Sequence, residues 1–323
     1  MLTAKENYLI AARGGKPERV PVFPQDANFY VPSIWDANPE TGRDWMGVAW
    51  LDDPSGKMPD VAHPIMKEAK QWREMVKFPD LSKIDWEGEI SRFKANGYDP
   101  NKIDIAMVHS SGPFLLPINM LGWEEGLCAL YEDPDEMDAF VSAITDFLVD
   151  LVGYIGKYYQ PSIMFTGDDL AAGAGPLISR DLWVQIYKPK FERIVKAIHS
   201  FNALAEFHNC GNNQFFIEEF LDAGADICQL PMPNEALLAD KQRFGSRLVI
   251  TGGWDRQSAA SKLGASEEVV RESARYAIDT YGKDGALIFW DGGIICTDDA
   301  AKQKLEWLLD EVAVYGAKVY SEQ

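Results

Sequence analysis

What the chain is short of narrows its function first. It carries 31 Lys and Arg against 50 Asp and Glu, a formal net charge of −19. A surface so poor in cations repels nucleic acid and anionic lipid, so neither a nucleic-acid nor a membrane partner is expected. No apolar run reaches the length of about 18 residues that a membrane span needs. The first twenty residues carry charges throughout and lack the apolar core of an export signal. Only four cysteines occur, at 128, 210, 228 and 296. They have no disulfide-framework spacing and read as reduced thiols, which predicts a cytoplasmic protein. No G-x-G-x-x-G follows an early strand, and no low-complexity segment or short repeat is present.

What is there suits one large α/β domain spanning 1–323, with 46% hydrophobic and 25% charged residues. Residues 3–13 read as a helix stopped at Gly14 and Gly15, and 19–24 as a short strand. Residues 25–63, rich in Trp, Pro, Asp and Gly, read as irregular loops with a turn at 52–56. Residues 1–63 are thus expected to form an N-terminal helix, a first strand and a capping segment over an opening. From 105 onward short apolar strands alternate with helices: strands at 105–109, 162–166, 204–208, 227–230, 248–251 and 286–289, with helices between them and a last helix at 298–315. All-apolar strands between helices imply a parallel sheet covered on both faces. Seven or eight such units predict a (β/α)₈ TIM barrel, with a doubly wound open sheet as the alternative.

The chemically capable residues cluster just after strand ends: His109, Asp168 and Asp169, His208 and Cys210, Trp254 and Asp255, Asp291, and Cys296. In a barrel all strand C-termini share one face, and that face carries the active site. The central stretch is Leu204-Ala-Glu-Phe-His-Asn-Cys-Gly211. Strand side chains alternate with period 2, so Glu206, His208 and Cys210 point the same way. His208 and Cys210 make half of a metal site, or else two buried core residues. With Cys296 as a third ligand, Zn²⁺ would keep an open fourth position, as catalytic zinc does. Asp168 and Asp169 read as catalytic carboxylates that orient a ligand or substrate, or as helix caps. Glu206, one step deeper, reads as a further catalytic or metal-side group. His109 reads as a substrate contact or a satisfied core histidine, Asp291 as a support for the site, and Cys128 and Cys228 as packing. Of the aromatics Phe29, Tyr30, Trp35, Trp45, Trp50, Phe114, Trp254 and Trp290, only Trp254 and Trp290 are placed at the mouth, where with Asp255 they are candidates to meet a cofactor.

Several strings in order carry a resemblance: Thr166-Gly-Asp-Asp-Leu170, Gly175 and Pro176, Ser179, Tyr187-Lys-Pro189, His208-Asn-Cys-Gly-Asn212 and Gly224-Ala-Asp226. They resemble the uroporphyrinogen decarboxylase superfamily over about 19–315, most strongly over 162–235. The early arginine motif with which the decarboxylases grip propionates is not seen; Arg19-Val-Pro-Val-Phe-Pro-Gln-Asp26 continues with Asn28 and Tyr30. The chain is more similar to the corrinoid-dependent methyltransferase branch, which includes coenzyme M methyltransferases and O-demethylase components. That branch implies zinc held by His208, Cys210 and Cys296, although its late motif often reads Gly-Cys-Gly and Cys296 follows Gly292-Gly-Ile-Ile295. It also implies a corrinoid (cobalamin) carried by a separate corrinoid protein, and a small methyl donor or acceptor such as a thiol or a methoxylated compound. A cofactor-free decarboxylase and a non-catalytic metal- or corrinoid-binding module are the rival readings.

Overall fold

The structure is a computed structural model and describes residues 2–53, 56–213, 215–230, 233–262, 264–294 and 298–321. Seven parallel strands form one curled sheet: β1 (Ala27–Tyr30), β2 (Ile103–His109), β3 (Ile163–Gly167), β4 (Leu204–His208), β5 (Ile227–Leu230), β6 (Val249–Gly253) and β7 (Leu287–Trp290). Their spatial order is their chain order. Successive strands are thus always neighbours, whereas a doubly wound sheet reverses direction part-way. The segment before β1 reaches the last strand: Val22 bridges Phe289 in parallel, and Phe23 N–H donates to Phe289 O at 2.9 Å. This is the TIM-barrel architecture expected from the alternation of elements.

The first strand is displaced from its expected place. Ala27–Tyr30 pairs with Ile103–Ala106, inside the segment read as irregular, while 19–24 supplies only the bridge at Val22. Pro21 and Pro24 have no N–H to give a ladder, which limits what that stretch can pair. On either side of the expected turn near 52–56 the chain pairs as an antiparallel hairpin, Trp50–Asp53 with Gly56–Pro59. The N-terminal helix α1 (Ala4–Ala12) does not sit over the mouth. Lys5 N–H donates to Asn101 O just before β2, and Ala286 N–H donates to Gly15 O just before β7. Tyr8, Ala11 and Ala12 pack among Ile103, Ile163, Ile227 and Ala286. These residues lie at or beside the strand N-termini, so α1 plugs the bottom of the barrel. The loop after β1 does lie at the opposite end, where Trp35 Nε1 donates to Val108 O at 2.9 Å.

Strand alternation sorts the core into two layers. Ile105, Met107, Phe165, Val249 and Ile288 join the interior cluster. Val108, Met164, Phe207, Cys228, Ile250 and Phe289 join the outer layer beneath the helices. Phe207, for example, packs 4.6 Å from the Phe191 ring and 4.4 Å from Phe220, centroid to centroid. Each such buried aromatic contributes on the order of 2 kcal/mol. One helix, Pro134–Tyr158, is long and apolar enough by composition to cross a membrane; here its Phe140, Ile144, Leu148, Leu151 and Ile155 are buried in the outer core.

Candidate metal centre

β4 ends at His208, and the chain then turns tightly through 209–212. Gly211 has φ +81°, and a Cβ there would lie 2.5 Å from Ala171 O and 2.6 Å from Ala172 O. Only glycine takes that conformation at that approach without strain. Asn212 N–H donates to Ala172 O at 2.9 Å, and Leu170 N–H donates to Asn209 Oδ1 at 2.7 Å. The turn is thereby clamped to the segment after β3, which brings Asp169 alongside Cys210.

Three donor atoms converge at this junction. Cys210 Sγ lies 3.3 Å from His208 Nε2. Asp169 Oδ1 lies 3.6 Å from the same nitrogen and accepts the Cys210 backbone N–H at 2.9 Å. Asp169, His208 and Cys210 each offer one ligand atom, all within 4.8 Å of one another. Donors at about 2.0–2.3 Å from one tetrahedral ion stand about 3.3–3.8 Å apart, and nitrogen, sulfur and carboxylate oxygen are the donors zinc takes. The two separations from His208 Nε2, 3.3 and 3.6 Å, fit that spacing. Burial, helped by the Asp169 charge, pushes the Cys210 thiol up to about 12. Burial likewise lowers His208 from its ordinary value. Imidazole nitrogen, sulfur and carboxylate oxygen make an electron-rich donor set, and a coordinated thiol ionises when a cation binds. Phe165 and Trp290 wall the imidazole, with ring centroids 5.9 and 6.0 Å away.

Cys296, expected as the third ligand, lies outside the described residues. Among the described residues the third donor is Asp169, which the sequence reading grouped with Asp168 as a catalytic carboxylate. The structure separates these neighbours. Asp168 is buried and accepts the backbone N–H groups of Gly112, Phe114 and Leu115 at 3.2, 2.7 and 2.8 Å. Burial outweighs those bonds and raises it to about 7. Its position is that of a clamp on the loop after β2, not of a group facing the donors. Glu206 is also placed differently from the expectation. It is fully buried one layer below His208, where its Oε1 accepts from Thr251 Oγ1 at 2.6 Å and Gln229 Nε2 at 3.3 Å. Burial pushes it up to about 7, and it is outside the donor cluster.

The aromatic candidates divide as well. Trp290 stands beside His208, but Trp254 is buried with its Nε1 donating to Ser273 Oγ at 2.8 Å, toward the helix Glu267–Ala277. Asp255 is exposed and accepts the Gln257 N–H at 2.8 Å. Of the three, Trp290 is the one in ring contact with His208. His109 is buried with Nδ1 against Gly167 O at 2.9 Å, and burial lowers it to about 4. Asp291 accepts the N–H groups of Gly293 and Ile294 within its own loop. Cys228 packs in the outer core, whereas Cys128, read as packing, is exposed. Two residues near the centre were passed over in the sequence. Gln229 contacts His208 Nδ1 through Oε1 at 2.9 Å; its signal was an amide among apolar residues on the barrel-facing parity of β5. Arg256 brings positive charge to both Cys210 and Asp291; it lies past a strand end, where periodicity says nothing.

A family model described as Uroporphyrinogen decarboxylase (URO-D) matches residues 43–312. No curated protein matches the chain. Among solved structures, a methyltransferase from Methanosarcina mazei is similar with a TM-score of 0.71, over 98% of this chain and 99% of that one, at 15% identity. At that identity the likeness is one of fold.

Proposed function

The chain belongs to the uroporphyrinogen decarboxylase family, and from that premise we propose that it is a zinc-dependent methyltransferase. It would move a methyl group between a corrinoid on a separate corrinoid protein and a small thiol or methoxylated substrate. The observation that carries this reading is the convergence of His208 Nε2, Cys210 Sγ and an Asp169 oxygen within 4.8 Å at the C-terminal ends of adjacent strands. The likeness in fold to a methyltransferase from M. mazei is in keeping with it.

His208, Cys210 and Asp169 would hold the ion. Zinc bound there would keep a thiol substrate deprotonated, or stabilise a departing oxyanion as a Lewis acid. The chain's own side chains supply the rest. Phe165 and Trp290 shield the imidazole from water, which strengthens electrostatic interactions at the site. Asp169 accepts the Cys210 N–H and so sets the direction from which the sulfur is presented.

One observation weighs against the decarboxylase reading. Arg19, the early arginine, has its guanidinium fork occupied by Asp26, with both N–O distances 2.8 Å. It is not free to grip a substrate carboxylate.

The test is elemental analysis of purified protein beside His208→Ala and Cys210→Ala. About one zinc per chain in the parent and none in the folded variants supports the reading, and methyl transfer from a methylated corrinoid to a thiol is then assayed. Equal metal content in parent and variants sinks it.

A further inference from the structure

Beneath the donor cluster a line of buried side chains runs into the barrel. Thr251 Oγ1 and Gln229 Nε2 both approach Glu206 Oε1, at 2.6 and 3.3 Å. Gln229 Oε1 in turn lies 2.9 Å from His208 Nδ1. The three residues come from β4, β5 and β6, and register places Gln229 between His208 and Thr251.

The direction of this line follows from what each group can do. A carboxylate only accepts, and a protonated one has a single proton to give. Glu206 Oε2 has no partner among the described residues and the Thr251 hydroxyl can donate or accept, so a proton on Glu206 goes from Oε1 to Thr251 Oγ1, and Oε1 keeps a lone pair for the Gln229 NH₂ in either state. An amide NH₂ has no acceptor capacity, so the Gln229 NH₂ goes to Glu206 and its carbonyl goes to His208. A carbonyl can only accept, so His208 must carry its proton on Nδ1. Turning the Gln229 amide over would set its carbonyl against the carboxylate and its NH₂ against Nδ1. That order protonates Nε2 and removes the lone pair that faces Cys210 and Asp169. A histidine ligand is oriented by what its other nitrogen bonds, and the partner matters to affinity.

We propose that Glu206, acting through Gln229, holds His208 in the Nδ1–H tautomer and so keeps Nε2 bare toward Cys210 and Asp169. Glu206 and Gln229 are positioning residues of the centre. The effect on metal affinity rests on the zinc reading above; the tautomer does not. The amide spacer also separates the Nδ1 proton from the carboxylate. Glu206 polarises the imidazole through the amide dipole without a direct path for taking its proton.

The experiment reads the tautomer and the metal separately. The sequence has four histidines, so a long-range ¹H–¹⁵N spectrum of the zinc-free chain is simple, and comparison with His208→Ala identifies the His208 signals. The parent should show Nδ1 protonated. Glu206→Gln keeps the shape but adds a donor at the carboxylate's place, which lets the Gln229 amide turn over; Nε2 should become protonated. Gln229→Leu should release the preference, and Gln229→Glu, which restores an acceptor for Nδ1, should recover it. Zinc affinity, measured by chelator competition, should fall on the order of tenfold to a hundredfold in Glu206→Gln and Gln229→Leu. An Nε2-protonated parent overturns the proposal whatever the variants do, as does a folded Glu206→Gln with the parent's tautomer and affinity. A parent with the Nδ1–H tautomer that binds no zinc would remove the metal reading and leave the positioning of His208 standing.

Discussion

Replacing Gly211 with alanine attacks the turn that carries Cys210 without removing a donor atom. Two costs can be worked from the geometry. At φ +81° an L-residue is in the left-handed region, which costs about 1–2 kcal/mol. The new Cβ would stand 2.5 Å from Ala171 O and 2.6 Å from Ala172 O, where ordinary contact begins at 3.4 Å. Both obstacles are backbone, and Ala171 and Ala172 are paired with Pro176 and Gly175, so neither can swing aside as a side chain would. Overpacking of this kind costs about 1–3 kcal/mol. Together the two give roughly 2–5 kcal/mol, a large part of a typical domain's stability. Gly173 is the internal control, since nothing lies within 4 Å of a Cβ placed there. Urea denaturation of parent, Gly211→Ala and Gly173→Ala should show the first variant destabilised by that amount and the second within about 0.5 kcal/mol of the parent. Zinc affinity should drop in Gly211→Ala alone, because relief of the clash must move the turn away from 171–172. A Gly211→Ala protein as stable as the parent would refute this account of how the turn is held.

Three further outcomes are expected. Asp169→Ala should weaken zinc binding by on the order of tenfold or more, read by chelator competition; unchanged affinity removes Asp169 from the ligand set. Asp168→Ala should retain zinc but release the loop after β2, seen as faster amide hydrogen exchange at Gly112, Phe114 and Leu115; unchanged exchange with lost activity would return Asp168 to a catalytic role. His109 makes the fold acid-sensitive. Its folded value of about 4 lies below the ordinary 6.5, so between those pH values the unfolded chain takes up a proton that the native chain refuses. Stability is therefore lost as pH falls through that window, by up to about 3 kcal/mol for this group. In His109→Gln, urea titrations at pH 7 and pH 4 should show the loss smaller by about that amount, and a parallel loss in both proteins refutes the assignment.

The barrel was legible in the sequence because its signals are local. Apolar runs such as Ile163–Phe165 and Leu287–Phe289, each followed by a helix, announce buried parallel strands wherever they lie in space. Period 2 placed Glu206 and His208 on one face of β4, and the short His208-x-Cys210 spacing brought nitrogen and sulfur together without help from distant residues. Tertiary structure decided what local periodicity does not encode. Past a strand end no repeat says where a side chain points. Asp168 and Asp169 are adjacent, yet one is consumed by loop amides and the other reaches the thiol, and Trp290 meets His208 while Trp254 turns to a helix. Gln229 and Thr251 read as minor residues of apolar strands until the sheet curls and sets β4, β5 and β6 side by side. The N-terminal helix could cap either end of a barrel as far as its composition goes. The hydrogen bonds from Lys5 to Asn101 and from Ala286 to Gly15, with the packing of Tyr8, Ala11 and Ala12 among the strand N-termini, put it at the bottom, because these contacts join residues far apart in the chain.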